Sequence, residues 1–339
     1  MRRQLLLAVA VTVAGWCGPW SYAQETPPPS PVDCAELQQD LFADLKEVVR
    51  AGCTPSEAQI ARLLDNPVGN FVAFPIQFDA IQFEGPRIDH TENLYRLQFI
   101  PTFPLKLGPD WNLINRVVLP AMSVPINEGF GDCIGFAPDS ITTCPSFPDA
   151  LADPFKPTRG FGDVVYMGLA SPKELHKVPS TGAAVIWGAG ATTLFPTASD
   201  EVLGSGKYAV GPAAAAGYLG TKWLFGILAQ HWWSVAGSSE REDLSLTNLQ
   251  YFLFYAPPWN EAAQWRIGMT PNITYNWRAQ GDKATVPVGL GIGRMTQVGQ
   301  LPVQVFLEVD YSIIRPDDKP GSRWGIRLYF TPVIPTFMF

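Results

Sequence analysis

Trp265-Arg266-Ile267-Gly268-Met269-Thr270-Pro271-Asn272-Ile273-Thr274-Tyr275-Asn276-Trp277-Arg278 decides the fold. Trp265, Ile267, Met269, Pro271, Ile273, Tyr275 and Trp277 make one apolar face with an aromatic at each end. The alternate positions, Arg266 through Arg278, are polar or glycine throughout. A repeat of two over this length predicts a strand with two unlike faces. At about 3.3 Å per residue it covers about 40 Å, enough to cross a ~30 Å hydrocarbon layer at a tilt near 40°. Aromatics closing both ends of the apolar face fit the two interfacial girdles of a membrane barrel. An exposed strand of a soluble sandwich is the alternative, but such strands are usually shorter.

The same alternation recurs along the chain. Tyr95, Leu97, Phe99 and Phe103 oppose Arg96, Gln98 and Thr102. Val303, Val305, Leu307, Val309, Tyr311 and Ile313 oppose Gln304, Glu308, Asp310 and Ser312, and Trp324, Ile326, Leu328 and Phe330 oppose Arg323, Arg327 and Tyr329. Candidate strands fall at 70–83, 94–104, 112–124, 162–171, 182–195, 207–218, 222–235, 244–256, 264–278, 284–296, 302–314 and 323–334. The expected class is therefore all-β, a closed antiparallel transmembrane β-barrel of about twelve strands with a short N-terminal helical segment. If the N-terminus is periplasmic, the long links 125–161, 196–206, 236–243 and 315–322 face outward, and the short ones 219–221 and 297–301 face the periplasm. Pro75, Pro101, Pro120, Pro212, Pro271 and Pro287 run against this reading, because each removes a ladder hydrogen bond inside a predicted strand.

Composition agrees with export into an outer membrane. Met1-Arg2-Arg3, an apolar run from Leu5 to about Gly15 and Ser21-Tyr22-Ala23 read as a signal peptide over 1–23. Cys17 would suggest a lipoprotein, but Trp16 stands where a small residue should precede a lipidated cysteine. No later run of roughly 18 apolar residues offers a spanning helix. Yet 47% of the chain is hydrophobic, with 20 Phe, 11 Trp and 10 Tyr. Without a helix, only a closed barrel satisfies every backbone group in lipid. Loss of Arg2 and Arg3 moves the formal charge from −7 to about −9, a poor balance for binding nucleic acid.

Residues 24–66 form a separate part, preceding a barrel domain over 67–339. After a proline-rich leader, Leu37, Leu41, Leu45, Val48 and Val49 have helical spacing over 33–51. Thr54-Pro55-Ser56-Glu57 reads as a capping box opening a second helix. This hairpin could plug the lumen, cap the periplasmic mouth or serve assembly. Four cysteines remain after cleavage, Cys34, Cys53, Cys133 and Cys144. Three pairings are possible; Cys34–Cys53 and Cys133–Cys144 are favoured because each couple lies in one local segment on an oxidising route, with free thiols the other option.

Several motifs carry a family resemblance: Trp111-Asn112-Leu113-Ile114-Asn115-Arg116, Leu119-Pro120, Gly162-Asp163-Val164, Ile186-Trp187-Gly188-Ala189-Gly190 and Phe195-Pro196-Thr197-Ala198. Leu203-Gly204-Ser205-Gly206-Lys207, Gly211-Pro212, His231 with Trp233-Ser234-Val235-Ala236-Gly237, and Trp324-Gly325-Ile326-Arg327 extend it over most of 66–335. In these the chain resembles a family of bacterial outer-membrane barrels labelled as transporters and, misleadingly, as "neuromedin U"-like. It is loosely similar to uptake barrels associated with aromatic degradation. The resemblance implies an outer-membrane barrel of a Gram-negative bacterium, placed by the barrel assembly machinery. The Cys133–Cys144 loop and the tail Thr336-Phe337-Met338-Phe339 depart from the family.

Carrying the alternation along puts Arg96, Gln98, Asn248, Gln250, Arg266, Arg278, Glu308, Asp310, Arg323 and Arg327 inside. Such a set can brace the wall as a charge network or filter solutes as a constriction. Gly188, Gly190, Ala209, Gly211, Ala213, Ala215, Gly217, Gly289, Gly291 and Gly293 take inward phases as well. This wall of small residues would leave room for a solute or the N-terminal helices, or simply permit tight curvature. Catalysis is not expected: His231 and Ser234 differ by three and point to opposite faces of a strand. No HExxH, close Cys/His spacing or phosphate-cradling loop suggests a metal or cofactor. The expected function is passive passage of a small solute, hydrophobic or aromatic, with outer-membrane lipid as the surrounding partner. The alternative is a non-conducting structural or surface-binding barrel plugged by its N-terminal helices.

Overall fold

The computed structural model describes residues 33–40, 43, 45–56, 59–60, 71–85, 91–134, 141–257, 265–298, 301–317 and 321–335. The expected signal peptide, the leader as far as residue 32 and the tail 336–339 lie outside them. Strands run in chain order as β1 (Phe71–Ala73), β2 (Ile76–Glu84), β3 (Glu92–Phe99), β4 (Thr102–Lys106), β5 (Trp111–Val124) and β6 (Thr158–Phe161). Next come β7 (Val164–Pro172), β8 (His176–Val178), β9 (Ala183–Phe195), β10 (Lys207–Leu219), β11 (Trp223–Gly237) and β12 (Ser245–Tyr255). The last are β13 (Trp265–Met269), β14 (Asn272–Asn276), β15 (Ala284–Val298), β16 (Leu301–Ile314) and β17 (Gly321–Pro335).

β1–β2, β3–β4 and β13–β14 are each one stave with an interruption and β6–β8 one stave with two, so the sheet has twelve staves. Each pairs antiparallel with its neighbours, and β17 closes the ring on β1 and β2 through Phe71↔Pro335 and Ile76↔Phe330. No sheet edge is left unpaired, which is the condition for a β-structure in lipid. Both ends of the barrel sequence, the start of β1 and the end of β17, lie at one rim, here the terminal rim. The opposite, far rim carries the long linker between β5 and β6, which Cys133–Cys144 staples.

Burial is inside out. Along β3 the exposed residues are Asn93, Tyr95, Leu97 and Phe99, while Arg96 and Gln98 turn inward between the last three. Leu97 is 48% exposed; Asp79, on the neighbouring β2, is 1% exposed. A soluble protein reverses these roles, so the informative facts are the buried charge and the contiguous exposed apolar surface. Aromatics gather on the outer surface in two bands. Trp111 meets Trp187, and Trp223 meets Tyr255, towards the terminal rim. Tyr275 meets Trp277, and Tyr311 meets Trp324, towards the far rim. Trp223 and Trp233 lie ten residues apart on β11, about 33 Å along the strand. At the usual tilt that is about 25 Å of membrane depth, the height of a barrel's apolar band.

Four of the six prolines are absorbed locally, whereas Pro120 and Pro212 stand inside β5 and β10. Pro75, Pro101 and Pro271 fall in the interruptions β1/β2, β3/β4 and β13/β14, and Pro287 sits beside a register shift in β15. Across Pro271 the register is kept: Leu253↔Met269 before it and Gln250↔Asn272 after it belong to one alignment. The deciding stretch is thus one two-faced stave, though its strand ends at Asn276 instead of reaching Arg278.

Among the described residues the N-terminal segment holds two short helices, α1 (Cys34–Gln39) and α2 (Leu45–Arg50), where one over 33–51 was expected, and residues 59–60 are helical as well. Cys34 and Cys53 are joined across the hairpin. The capping box is shifted from the expected residues: Ser56 N–H donates to Gln59 Oε1 at 2.9 Å, and Gln59 N–H to Ser56 Oγ at 3.2 Å. Gln59 also donates to Leu37 O and Asp40 O, tying the turn to α1. Asp40 in turn pairs with Lys177 of β8 at 2.9 Å, which attaches the helices to the terminal rim.

Candidate functional site

Among the described residues the interior holds two chambers that share border residues, besides a further cavity of about 370 Å³ towards the far rim bordered by Arg96, Gln98, Asp163 and Ser205. The larger, about 560 Å³, opens towards the far rim and is lined by Gln77, Asp79, Arg96, Gln98, Gln230, Asn248, Gln250, Asn272, Thr274, Asp310, Arg323 and Arg327 among others. The smaller, about 220 Å³, lies towards the terminal rim and is lined by Phe71, Phe252, Phe254, Phe306 and Tyr329 together with the polar Thr102, Thr270, Gln304 and Thr331. Ile100, Arg116 and Gln250 border both and form the partition.

Above the partition runs a row of charge built by register. Arg96↔Asp79, Asp79↔Arg327 and Arg327↔Glu308 are directly opposed pairs on β3, β2, β17 and β16. Asp79 accepts from Arg96 Nε at 3.0 Å, from Arg327 Nε at 2.9 Å and from Gln77 Nε2 at 2.8 Å. Arg327 also approaches Asp310 at 3.4 Å and Glu308 at 3.7 Å. Alternating signs within contact distance offset much of the cost of removing each ion from bulk water.

Glu308, 0% exposed, repairs the wall where Pro271 interrupts it. At that break Thr270 N–H lacks a ladder partner, and it donates to Glu308 Oε1 at 2.6 Å while Thr270 Oγ1 donates to Oε2 at 2.7 Å. Arg327 Nη1 donates to Thr270 O at 3.0 Å. The β13/β14 interruption is therefore held from inside by the end of the charge row, as a buried backbone group requires.

Below the partition aromatic rings enter the lining beside Thr102, Thr270, Gln304 and Thr331, and these inward rings were not expected. Phe254 and Phe306 meet edge to face at 5.3 Å, with Phe252 and Tyr329 each 6.3 Å from one of them. Within the expected wall of small residues, Gly217, Gly291 and Gly293 lie against these rings, whereas Gly188, Gly190 and Gly211 face the backbone of neighbouring strands. Gly268 and Gly291 lie between Phe254 and Glu308 in the register, so the two phenylalanines meet over a strip without side chains. A Cβ on Gly291 would stand 2.6 Å from Phe306 Cζ. On the other wall Ala213 and Ala215 pack with Ile114, Leu169, Ile186, Leu219 and Leu224.

Of the residues expected inside, Arg96, Gln98, Asn248, Gln250, Asp310, Arg323 and Arg327 line the larger chamber. Glu308 lies buried in the wall and Arg266, 3% exposed, borders neither chamber. Arg278 is a correction: it follows the end of β14 and pairs at 3.6 Å with Asp243 at the far rim. Gln77, Asp79, Arg116 and the phenylalanines were missed, although Gln77 and Asp79 alternate with Ile76, Phe78 and Ala80.

His231 does not meet Ser234. Its Nδ1 lies 2.7 Å from Thr247 Oγ1 and its Nε2 3.5 Å from Ser245 Oγ, while Ser234 donates to Asp243. Among the described residues no group of three His, Cys, Asp or Glu side chains could hold a metal.

No family model matches the chain, and no curated protein matches its sequence. In structure it is similar to an outer membrane channel from Pseudomonas putida F1, with a TM-score of 0.51 and 16% identity over 78% of this chain and 96% of that one. Outer membrane phospholipase A from Escherichia coli aligns at 0.41 and 11% identity, covering 77% of this chain and 89% of its own. A Pseudomonas aeruginosa FadL homologue aligns at 0.31 and 9% identity, covering 80% and 92%. At these identities the first likeness speaks to fold alone, that of an outer-membrane barrel, and the looser two add nothing to it.

Proposed function

We propose that the chain is an outer-membrane channel that lets a small hydrophobic or aromatic solute cross passively, with both barrel ends in the periplasm. The observation that carries this reading is the succession of two chambers with shared border residues, a polar vestibule leading to an aromatic one. The vestibule filters by charge and size through Arg96, Asp79 and Arg327, and the aromatic chamber gives an apolar solute a reason to leave water. The channel title of the Pseudomonas putida neighbour is in keeping with it. Surrounding lipid and the barrel assembly machinery are the partners this role requires, and no catalytic step belongs to it. Planar-bilayer recording and liposome swelling test it: discrete conductance above protein-free lipid is expected, and a silent barrel would reject free diffusion.

A barrel closed by its own side chains is the second reading, favoured by the packed interior cluster of Ile114, Leu169, Ile186, Leu219 and Leu224. None of the described residues of the N-terminal helices borders either chamber. Deleting 33–65 and, separately, Phe306→Ala separates the two: conductance gained only on deletion means a plug, and only on Phe306→Ala a side-chain gate.

A further inference from the structure

Arg116 is the exception among the interior arginines. Arg96 and Arg327 are each paired with Asp79, and Arg323 with Glu84 at 3.2 Å. Among the described residues the Arg116 side chain has no hydrogen bond or ion pair, and the Tyr329 phenol, neutral at ordinary pH, lines the smaller chamber with it. Its register explains the isolation. Arg116 stands opposite Thr102 on one side and Met167 on the other, neither of which offers a counter-charge. Asp79 and Glu308 are occupied by Arg96, Arg327 and Thr270, and Asp310 lies 3.4 Å from Arg327 through Oδ2 with Oδ1 left without a hydrogen bond.

The guanidinium lies where the polar vestibule meets the phenylalanine chamber, and it borders both. A half-buried cation facing the lumen with no side-chain partner offers a place for an anion, and a guanidinium suits the planar, two-oxygen face of a carboxylate. The chamber beneath sets the rest of the ligand. A cavity of about 150 Å³ lined by apolar groups takes one benzene ring, so 220 Å³ accepts a ring or short branched chain with a small substituent.

We infer that Arg116 is the recognition residue for a small monocarboxylate. The carboxylate sits on the guanidinium, and the compact apolar body occupies the chamber bounded by Phe252, Phe254 and Phe306. This deepens the channel reading by naming its solute class, and it rests on the lumen being the path. Arg116 was open to sequence reasoning only as one more inward residue of β5; its solitude depends on register across β4, β5 and β7.

Calorimetry on the full chain in lipid nanodiscs tests the assignment, with benzoate, acetate and benzyl alcohol as probes and empty nanodiscs subtracted. Benzoate should bind saturably, with acetate and benzyl alcohol each weaker by about tenfold or more because one lacks the body and the other the charge. Arg116→Gln should weaken benzoate by a similar factor and leave benzyl alcohol unchanged. Equal binding of benzoate and benzyl alcohol, or of benzoate and acetate, overturns the inference, as does full affinity in a folded Arg116→Gln. If that variant fails to fold, the three-probe comparison on the unaltered chain decides by itself. Bilayer conductance keeps the two readings apart. Selective benzoate binding in a silent barrel sinks the channel and keeps the site; current without selective binding does the reverse.

Discussion

The two halves of the interior are held together differently, although one continuous apolar surface surrounds both. Towards the far rim, Arg96, Asp79, Arg327 and Glu308 interlock by direct cross-strand register. Towards the terminal rim, Phe252, Phe254 and Phe306 pack over glycines as a soluble core would. The exterior answers only to lipid and is uniform, so it says little about function. The interior answers to whatever passes or stays there, and the change of chemistry at Arg116 marks where the barrel discriminates.

The largest effect should come from breaking the polar half. Arg327→Met leaves Asp79, Glu308 and Asp310 without their shared cation, and removing one member of a buried network typically costs about 3–5 kcal/mol. Urea unfolding in vesicles measures it; a loss under about 1 kcal/mol would mean water already screens the row. Next is the wall itself. Met269→Arg puts charge against lipid near mid-bilayer and should cost about 2–4 kcal/mol. Thr274→Arg, facing the larger chamber on the same stave, should cost far less. Thr270 is unsuitable as the inward control, because its hydroxyl and N–H are both held by Glu308. Equal penalties at 269 and 274 would erase the distinction between outside and inside.

The apolar half should yield more gently. Phe306→Ala removes a buried ring, but one that already borders a cavity, so about 2–3 kcal/mol is expected, at the low end for such truncations. The same urea series checks it, and a cost near zero would mean that the rings do not support the wall.

The smallest effect lies at the far rim, outside both halves. Lys207, hydrogen-bonded to Asp243, holds its carboxyl below the ordinary aspartate range, with Ser234 helping. A lowered folded pKa means the contribution is present above the unfolded value of about 3.9 and is lost as pH falls through the lower, folded value. Hydrogen exchange in 238–244 should therefore speed up only at strongly acid pH, and Asp243→Asn should remove that acid limb. An unchanged acid limb in the variant would show that the rim does not depend on this contact.

Much of the wall was legible because period two is a local property. Tyr95, Leu97 and Phe99 against Arg96 and Gln98 need no knowledge of the rest of the chain. The charge row was legible only as membership. That Asp79 stands between Arg96 and Arg327 requires the closure of β2 onto β17, a contact spanning 248 residues. The phenylalanine chamber escaped because inward apolar residues blur the alternation, as Phe306 does between Gln304 and Glu308. Glycines opposite those rings were noticed, but their meaning depends on what faces them. Arg278 was misplaced for a simpler reason: alternation does not say where a strand ends.

Fluorophores attached at residues 97 and 98, one at a time in lipid vesicles, test the inside-out wall most directly. A label at 97 should be quenched by a bilayer-embedded quencher and shielded from iodide, and a label at 98 should show the opposite pattern. Iodide reaching 97 as readily as 98, in a barrel that stays folded and monomeric without lipid or detergent, would contradict it.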